Sequence, residues 1–401
     1  MTKFFTIEKK DHKSSARAGV IHTLHGDLPT PTIMIVGTKG TVKGISSEEL
    51  KTINVPVVLC NTYHLFLSPG ENLVADFGGL HGFMNWSGPI FTDSGGFQIF
   101  SMGHGTVSDE IKGKGNRHIQ KTLLEISEHG AKFKSYLNGD IKLLTPEKSI
   151  EIQHKLGADM IAAFDECTPF HVDKFYTQRS MEMTHRWLLR CIKKHQKLNS
   201  SQALFGIVQG GIYQDLRKKS ANFISKQNTK GICIGGSLGQ DKTQMRAIVS
   251  YTKQLLPPEK PVHLLGIGDL DDLIAGVEMG IDTFDCVSPT RNARHGLLFS
   301  TQSKNFKLSI TSSIFKNDHC PIDENCCCKV CQNYSRAYLR YLLKAKEILG
   351  VILCSHHNIH FITNFMHLMR KSILQDCFQE FKIAFQNQDN FQKICQKLKT
   401  L

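Results

Sequence analysis

The chain has 401 residues, 40% hydrophobic and 21% charged, an ordinary composition for a soluble globular enzyme, so disorder is not the expected state. Its start, MTKFFTIEKKDHKSSARAG, is too charged for a signal peptide and no run of roughly 18 apolar residues occurs, so a cytoplasmic protein without a membrane span is expected. Forty-nine Lys and Arg against 36 Asp and Glu leave a formal charge of +13, which attracts polyanions, most obviously a nucleic-acid backbone.

Short apolar, β-branched runs recur at 32–36, 55–60, 89–92, 160–164, 204–208, 231–234, 262–265 and 281–284, separated by segments long enough for a helix. Strands alternating with helices imply parallel pairing, and eight such units close into an α/β fold of the TIM-barrel, (β/α)8 type. Thr145 before Pro146 reads as a helix N-cap with Pro at the first helical position, and 180–197 reads as a helix carrying Trp187 and Leu189. The third and fourth runs are further apart than one crossover helix needs. Part of this excess is read as a hairpin, 131–137 against 140–144, around the type I′ dipeptide Asn138-Gly139. The polar, Gly-rich and basic segment 103–121 reads as an insertion, either a loop over the barrel mouth able to touch phosphate or a solvated excursion without a role.

Chemistry in this fold belongs just beyond the strand ends. There the sequence places Asp93, Asp165, Gln209, Gly235-Gly236, Gly266-Ile267-Gly268 and Asp285. A single acid at such a position is commonly a cap or an ion-pair partner, but three converging on one mouth raise each other's pKa and call for a functional reason.

Thirteen Cys in a cytoplasmic chain read as thiols, and five of them fall between Cys320 and Cys331. Cys326, Cys328 and Cys331 with a distant His357 supply three thiolates and one imidazole, the ligand set of a closed, structural Zn2+ site; Cys327, Cys320 and His356 compete on spacing. The segment 333–349 has the apolar spacing of one amphipathic helix ending before Gly350, and Phe378, Phe381 and Phe385 are spaced to pack a helical tail onto the body. The chain thus divides into a barrel (1–310), a zinc-binding subdomain appended to it (311–372) and a C-terminal tail (373–401).

Four motifs, Phe91-Thr92-Asp93-Ser94-Gly95-Gly96-Phe97-Gln98, Ala163-Phe164-Asp165-Glu166-Cys167-Thr168-Pro169, Phe205-Gly206-Ile207-Val208-Gln209-Gly210-Gly211 and Phe284-Asp285-Cys286-Val287-Ser288-Pro289-Thr290-Arg291-Asn292-Ala293-Arg294, together resemble the bacterial-type tRNA-guanine transglycosylases. The cysteine knuckle followed by Asn333-Tyr334-Ser335-Arg336-Ala337-Tyr338-Leu339 is similar to that family's zinc subdomain, and the likeness runs from about residue 15 to about 372, the 103–121 insertion excepted. The resemblance implies exchange of the guanine at the wobble position of GUN-anticodon tRNAs for a 7-deazaguanine. It implies Asp285 as the nucleophile on the ribose and Asp93 as the general acid/base. Ser94, Gly95, Gly96, Phe97, Asp165, Gln209 and Gly236 would join Asp93 in holding the base, Asp165 reading its Watson-Crick edge. The stretches Gly266, Ile267, Gly268, Asp269, Leu270, Asp271, Asp272 and Thr290, Arg291, Asn292, Ala293, Arg294 would hold the flanking tRNA. A homodimer is also implied.

Departures lie after the sixth strand, where Gly235-Gly236-Ser237-Leu238-Gly239-Gln240 is apparently one residue shorter than the family's usual segment and has Gln in place of Glu, and at Leu265, where a Met is usual. The resemblance implies that both border the pocket for the substituent on the incoming base. The expected base is 7-aminomethyl-7-deazaguanine (preQ1 base), with queuine the alternative. Two other functions compete. A non-catalytic tRNA-binding subunit would not need the three acids, and a glycoside hydrolase would line its cleft with more aromatic residues than the two Trp available, Trp86 and Trp187.

Overall fold

The computed structural model describes residues 3–99, 122–236, 238–388 and 390–400, so the 103–121 segment and Ser237 lie outside the described residues. Three antiparallel strands open the chain, β1 (Phe5–Lys10), β2 (Arg17–Thr23) and β3 (Gly26–Thr30). The barrel strands follow as β4 (Thr32–Val36), β5 (Val58–Cys60), β6 (Ile90–Thr92), β10 (Met160–Ala162), β11 (Ala203–Val208), β12 (Gly231–Ile234), β13 (Val262–Leu264) and β14 (Thr283–Cys286), all parallel and closed in that order. Each coincides with one of the eight apolar runs, shifted at most by a few residues.

Alternation along these strands makes two cores. Met34, Leu59, Phe91, Met160, Ala162, Phe205, Ile207 and Cys233 fill the barrel interior. Ile33, Ile35, Val58, Ile90, Ile161, Leu204, Ile232, Val262 and Leu264 face outward into the helical layer. The sheet of β1 to β3, which the periodic runs did not reveal, adds Phe5, Ile21 and Leu28 to the interior cluster, with Phe4 edge-on to Phe205. A buried bidentate pair between Arg17 and Asp282, at 2.6 and 2.8 Å, ties that sheet to the barrel.

The Pro146–Leu156 helix starts where expected, with Thr145 Oγ1 accepting from the Lys148 N–H at 3.1 Å. The second expected helix begins earlier, at Lys174, capped by Asp173, and runs to Lys197. Two expectations are corrected. The hairpin pairs β8 (Gly130–Lys134) with β9 (Ile141–Leu144) through residues 135–140, and a further strand, β7 (Leu123–Ser127), joins it. Of the dipeptide only Gly139 has positive φ (78°), whereas a type I′ turn needs both residues there, so Asn138-Gly139 serves a longer loop. The stretch 333–349 is not one helix either. Ser335 caps an Arg336–Lys344 helix, the chain turns, and a new helix, Ile348–Leu374, carries Gly350 inside it, close against Leu342 of its predecessor. That long helix packs on β4, β1 and β2, and Phe378 and Phe381 of the tail are buried beside it. No helix among the described residues is long and apolar enough to cross a membrane.

Candidate functional site

Inward-facing positions just past β6 and at the end of β14 carry Asp93 and Asp285, so strand parity alone aims both carboxyls into the barrel mouth. Asn61 and Thr62 follow β5 and hold Asp93: the Asn61 amide donates to Oδ2, the Thr62 N–H donates to Oδ1 at 2.9 Å, and the Gly95 N–H does so at 3.1 Å. Burial outweighs these donors and, with a smaller contribution from the negative charge of Asp285, pushes the Asp93 carboxyl up to about 7. Its proton can therefore move either way near neutrality.

Asp165 is buried between two donors, Ser94 Oγ at 3.1 Å and Gln209 Nε2 at 2.7 Å, and burial raises its carboxyl to about 6. Gly96 is required for close approach, since a Cβ there would lie 2.5 Å from the Asp165 carbonyl oxygen. Phe97, 48% exposed, stands in the short helical segment after Asp93 and is open to stacking. The Gln209 amide is spent partly on Asp165, while its Oε1 is buried without a partner beside Gly236. Behind this turn the fully buried Arg217 donates to the Val208, Gly211 and Gly235 carbonyls and so fixes the ends of β11 and β12.

Asp285 accepts from the Gly266 N–H at 2.8 Å through Oδ1. The expected tRNA segments flank it. Asp269, Asp271 and Asp272 are bound up with Lys242, Arg246 and Lys307, so these acids are largely neutralised. Thr290, Asn292 and Ala293 belong to the Ser288–Arg294 helix; its Arg291 is exposed, and neither Arg291 nor Arg294 forms an ion pair among the described residues. The Arg291 guanidinium is open to solvent, whereas Nη1 of Arg294 is buried.

Cys326, Cys328, Cys331 and His357 come together as a group able to hold a metal ion. The three sulfurs lie 3.8, 3.6 and 3.3 Å from His357 Nδ1. A zinc tetrahedron with ordinary Zn–S and Zn–N bonds has S···N edges of about 3.5 Å, so the group fits that ion. His357 Nε2 is 2.7 Å from the Phe299 carbonyl, which fixes the tautomer that leaves Nδ1 free to ligate. The competitors fall away: Cys320 and Cys327 are exposed, and His356 is turned toward Glu49. His360, which spacing had not suggested, lies 3.6 Å from Cys326 Sγ.

Two further clusters are structural. At the other end of the barrel Asp159 takes donors from the His25 N–H and ring and from the Ile90 N–H, while the His81 ring, hydrogen-bonded to the Gly88 carbonyl, lies 3.3 Å from it. The two imidazoles stack at 3.5 Å and 16°, so no metal could lie in both ring planes at once. The Asp269, Asp271 and Asp272 group is already occupied by lysine and arginine.

Sequence reasoning missed Asn61, Thr62 and His263. The first two obey the strand-end rule applied after β5, and the third is the one polar residue of a buried strand.

Residues 11–390 match the family described as Queuine tRNA-ribosyltransferase. Proteins of that same name are similar over nearly their whole length: one from Roseiflexus sp. strain RS-1 is 46% identical over 394 residues, 95% of this chain and 98% of that one. Those from Halothermothrix orenii and Fusobacterium nucleatum are 45% and 46% identical, covering 96% and 95% of this chain and 97% and 96% of theirs. The barrel mouth with its three acids and the cysteine knuckle thus occur in a chain that belongs to the queuine tRNA-ribosyltransferase family, pentosyltransferases acting on tRNA.

Proposed function

We propose that the protein exchanges the guanine at the wobble position of GUN-anticodon tRNAs for preQ1 base by two displacements at one ribose carbon. The observation that carries this reading is the juxtaposition of Asp93, held near neutrality by burial and by the neighbouring charge, with Asp285 in the same mouth. An Asp285 oxygen attacks C1′ as the bond to guanine breaks, and Asp93 protonates the leaving base; the incoming base gives up its proton to Asp93 and displaces the carboxylate. Two inversions retain configuration, the logic of a retaining glycosidase. Excluding water keeps the intermediate from ending as an abasic site.

Asp165, set by Ser94 and Gln209, reads the guanine edge donors while Phe97 stacks on the ring and Ser94, Gly95, Gly96 and Gly236 line the pocket. The 266–272 and 290–294 segments hold the flanking anticodon loop, where splaying a base costs least. The division into barrel (1–310), zinc subdomain (311–372) and tail (373–401), a homodimer and a cytoplasmic location complete the proposal. Cys326, Cys328, Cys331 and His357 hold one structural Zn2+ that staples the subdomain and leaves no open coordination position.

Queuine is the second reading, favoured by the name of the relatives. Purified protein with guanine-containing tRNA and each base in turn decides between them. Incorporation of preQ1 base is expected; incorporation of queuine alone overturns that choice, and incorporation of neither overturns the exchange.

A further inference from the structure

We infer that His263 is a positioning residue which, together with the Gly266 N–H, cradles one oxygen of Asp285 and makes its carboxylate a good leaving group in the second displacement. The inference rests on Asp285 being the nucleophile.

His263 lies in the middle of β13, whose neighbours in register are Cys233 on β12 and Thr283 on β14. Val262 and Leu264 face the outer core, so strand alternation turns the imidazole into the barrel interior, one layer beneath Asp285. It is fully buried and stacks on Phe91 at 5.1 Å. An apolar side chain would fill this volume without the desolvation cost of an imidazole.

The ring's two nitrogens have different surroundings. Nδ1 is 2.9 Å from Thr283 Oγ1. Nε2 has no aligned acceptor and lies 3.2 Å from Asp285 Oδ1, off the axis of a good hydrogen bond. A bare lone pair at that distance from a carboxylate would be repelled, so the Thr283 hydroxyl donates to Nδ1 and the proton resides on Nε2. The Gly266 N–H approaches the same Oδ1 at 2.8 Å, whereas Oδ2 accepts from no group among the described residues.

The consequence follows from where charge resides. Oδ2 is the free oxygen and forms the bond to C1′ as the base departs with the bonding pair. Oδ1 then becomes the carbonyl oxygen of an ester, to which both donors bind less strongly. When the incoming base attacks C1′, the C1′–Oδ2 bond breaks, its electron pair returns to the carboxylate, and both N–H groups meet full negative charge again. Donors that favour the charged form over the ester shift the balance away from the adduct.

The test is equilibrium discharge. Enzyme and guanine-containing tRNA are mixed, guanine is titrated in, and the fraction of denaturation-resistant adduct is read at each concentration. His263→Phe, which keeps the stack on Phe91, should raise the guanine concentration that discharges half the adduct severalfold, less than the roughly tenfold of an aligned charge-assisted donor because Nε2 lies off the hydrogen-bond axis. His263→Gln, which restores an N–H, should recover most of that shift. Thr283→Val, which releases the tautomer, should move the midpoint in the same direction by less, and serves alone if the buried Phe prevents folding. An unchanged midpoint in His263→Phe, or in Thr283→Val where that variant stands alone, overturns the inference. So does a Gln variant shifted as far as the Phe variant. Asp285→Asn separates the two levels: adduct formed by that variant overturns the nucleophile itself, whereas its absence beside an unshifted His263→Phe overturns only the role of His263.

Discussion

Gly236→Ala tests whether the Asp165 carboxylate, proposed to read the base, is set by the turn behind it. Gly236 has φ of +83°, and a Cβ there would stand 2.3 Å from Gln209 Oε1 and 3.6 Å from Arg217 Nη2. The left-handed backbone alone costs alanine about 1–2 kcal/mol. The contact with Arg217 is ordinary, so the clash falls on Gln209 Oε1 alone; the Gln209 amide must move, and its 2.7 Å bond to Asp165 is lost. A hydrogen bond to a charged acceptor contributes roughly 1.5–3 kcal/mol, or about a tenfold to hundredfold effect on guanine affinity if the loss falls on recognition. Denaturant unfolding and guanine competition against tRNA exchange measure the two parts. A variant within ~0.5 kcal/mol of wild-type stability and with guanine affinity changed less than about twofold would refute the reasoning.

Three other outcomes are expected. Arg17→Met strands Asp282 in the barrel floor and should cost about 3–5 kcal/mol in chemical denaturation; a loss under ~1 kcal/mol would mean that the pair is solvated. Because the Asp93 carboxyl is raised to about 7, its acid form prevails below that pH, and single-turnover release of guanine should decline as pH rises through this value; a rate flat from acid to alkaline pH would contradict its role as the acid. Chelation of the metal, or Cys331→Ser, should melt the subdomain and loosen the barrel, since His357 rides on the helix that packs against β4; apparent zinc binding on the order of 10 kcal/mol is at stake, and unchanged thermal unfolding after verified metal removal would exclude a structural staple.

The barrel was legible because its strands are buried on both faces and stand out as apolar β-branched runs, and Asp93, Asp165, Gln209 and Asp285 because strand ends have a fixed meaning in this architecture. The sheet of β1 to β3 escaped because Phe5–Lys10 and Gly26–Thr30 are half polar, and Thr32 follows β3 almost without a break. The break at Lys344 escaped because apolar spacing continues across the turn, Ile348 and Leu349 falling near the old phase while being exposed. His263 was invisible for a different reason: it lies within a buried strand, and only the closed barrel brings it against the Asp285 carboxylate.

The most direct test of the exchange chemistry is isolation of the intermediate. Protein mixed with guanine-containing tRNA and a non-displaceable base analogue, then denatured, digested and mapped by mass spectrometry, should carry the nucleotide as an ester on Asp285, and Asp285→Asn should carry none. An adduct on any other residue, or one that persists in Asp285→Asn, would contradict the account.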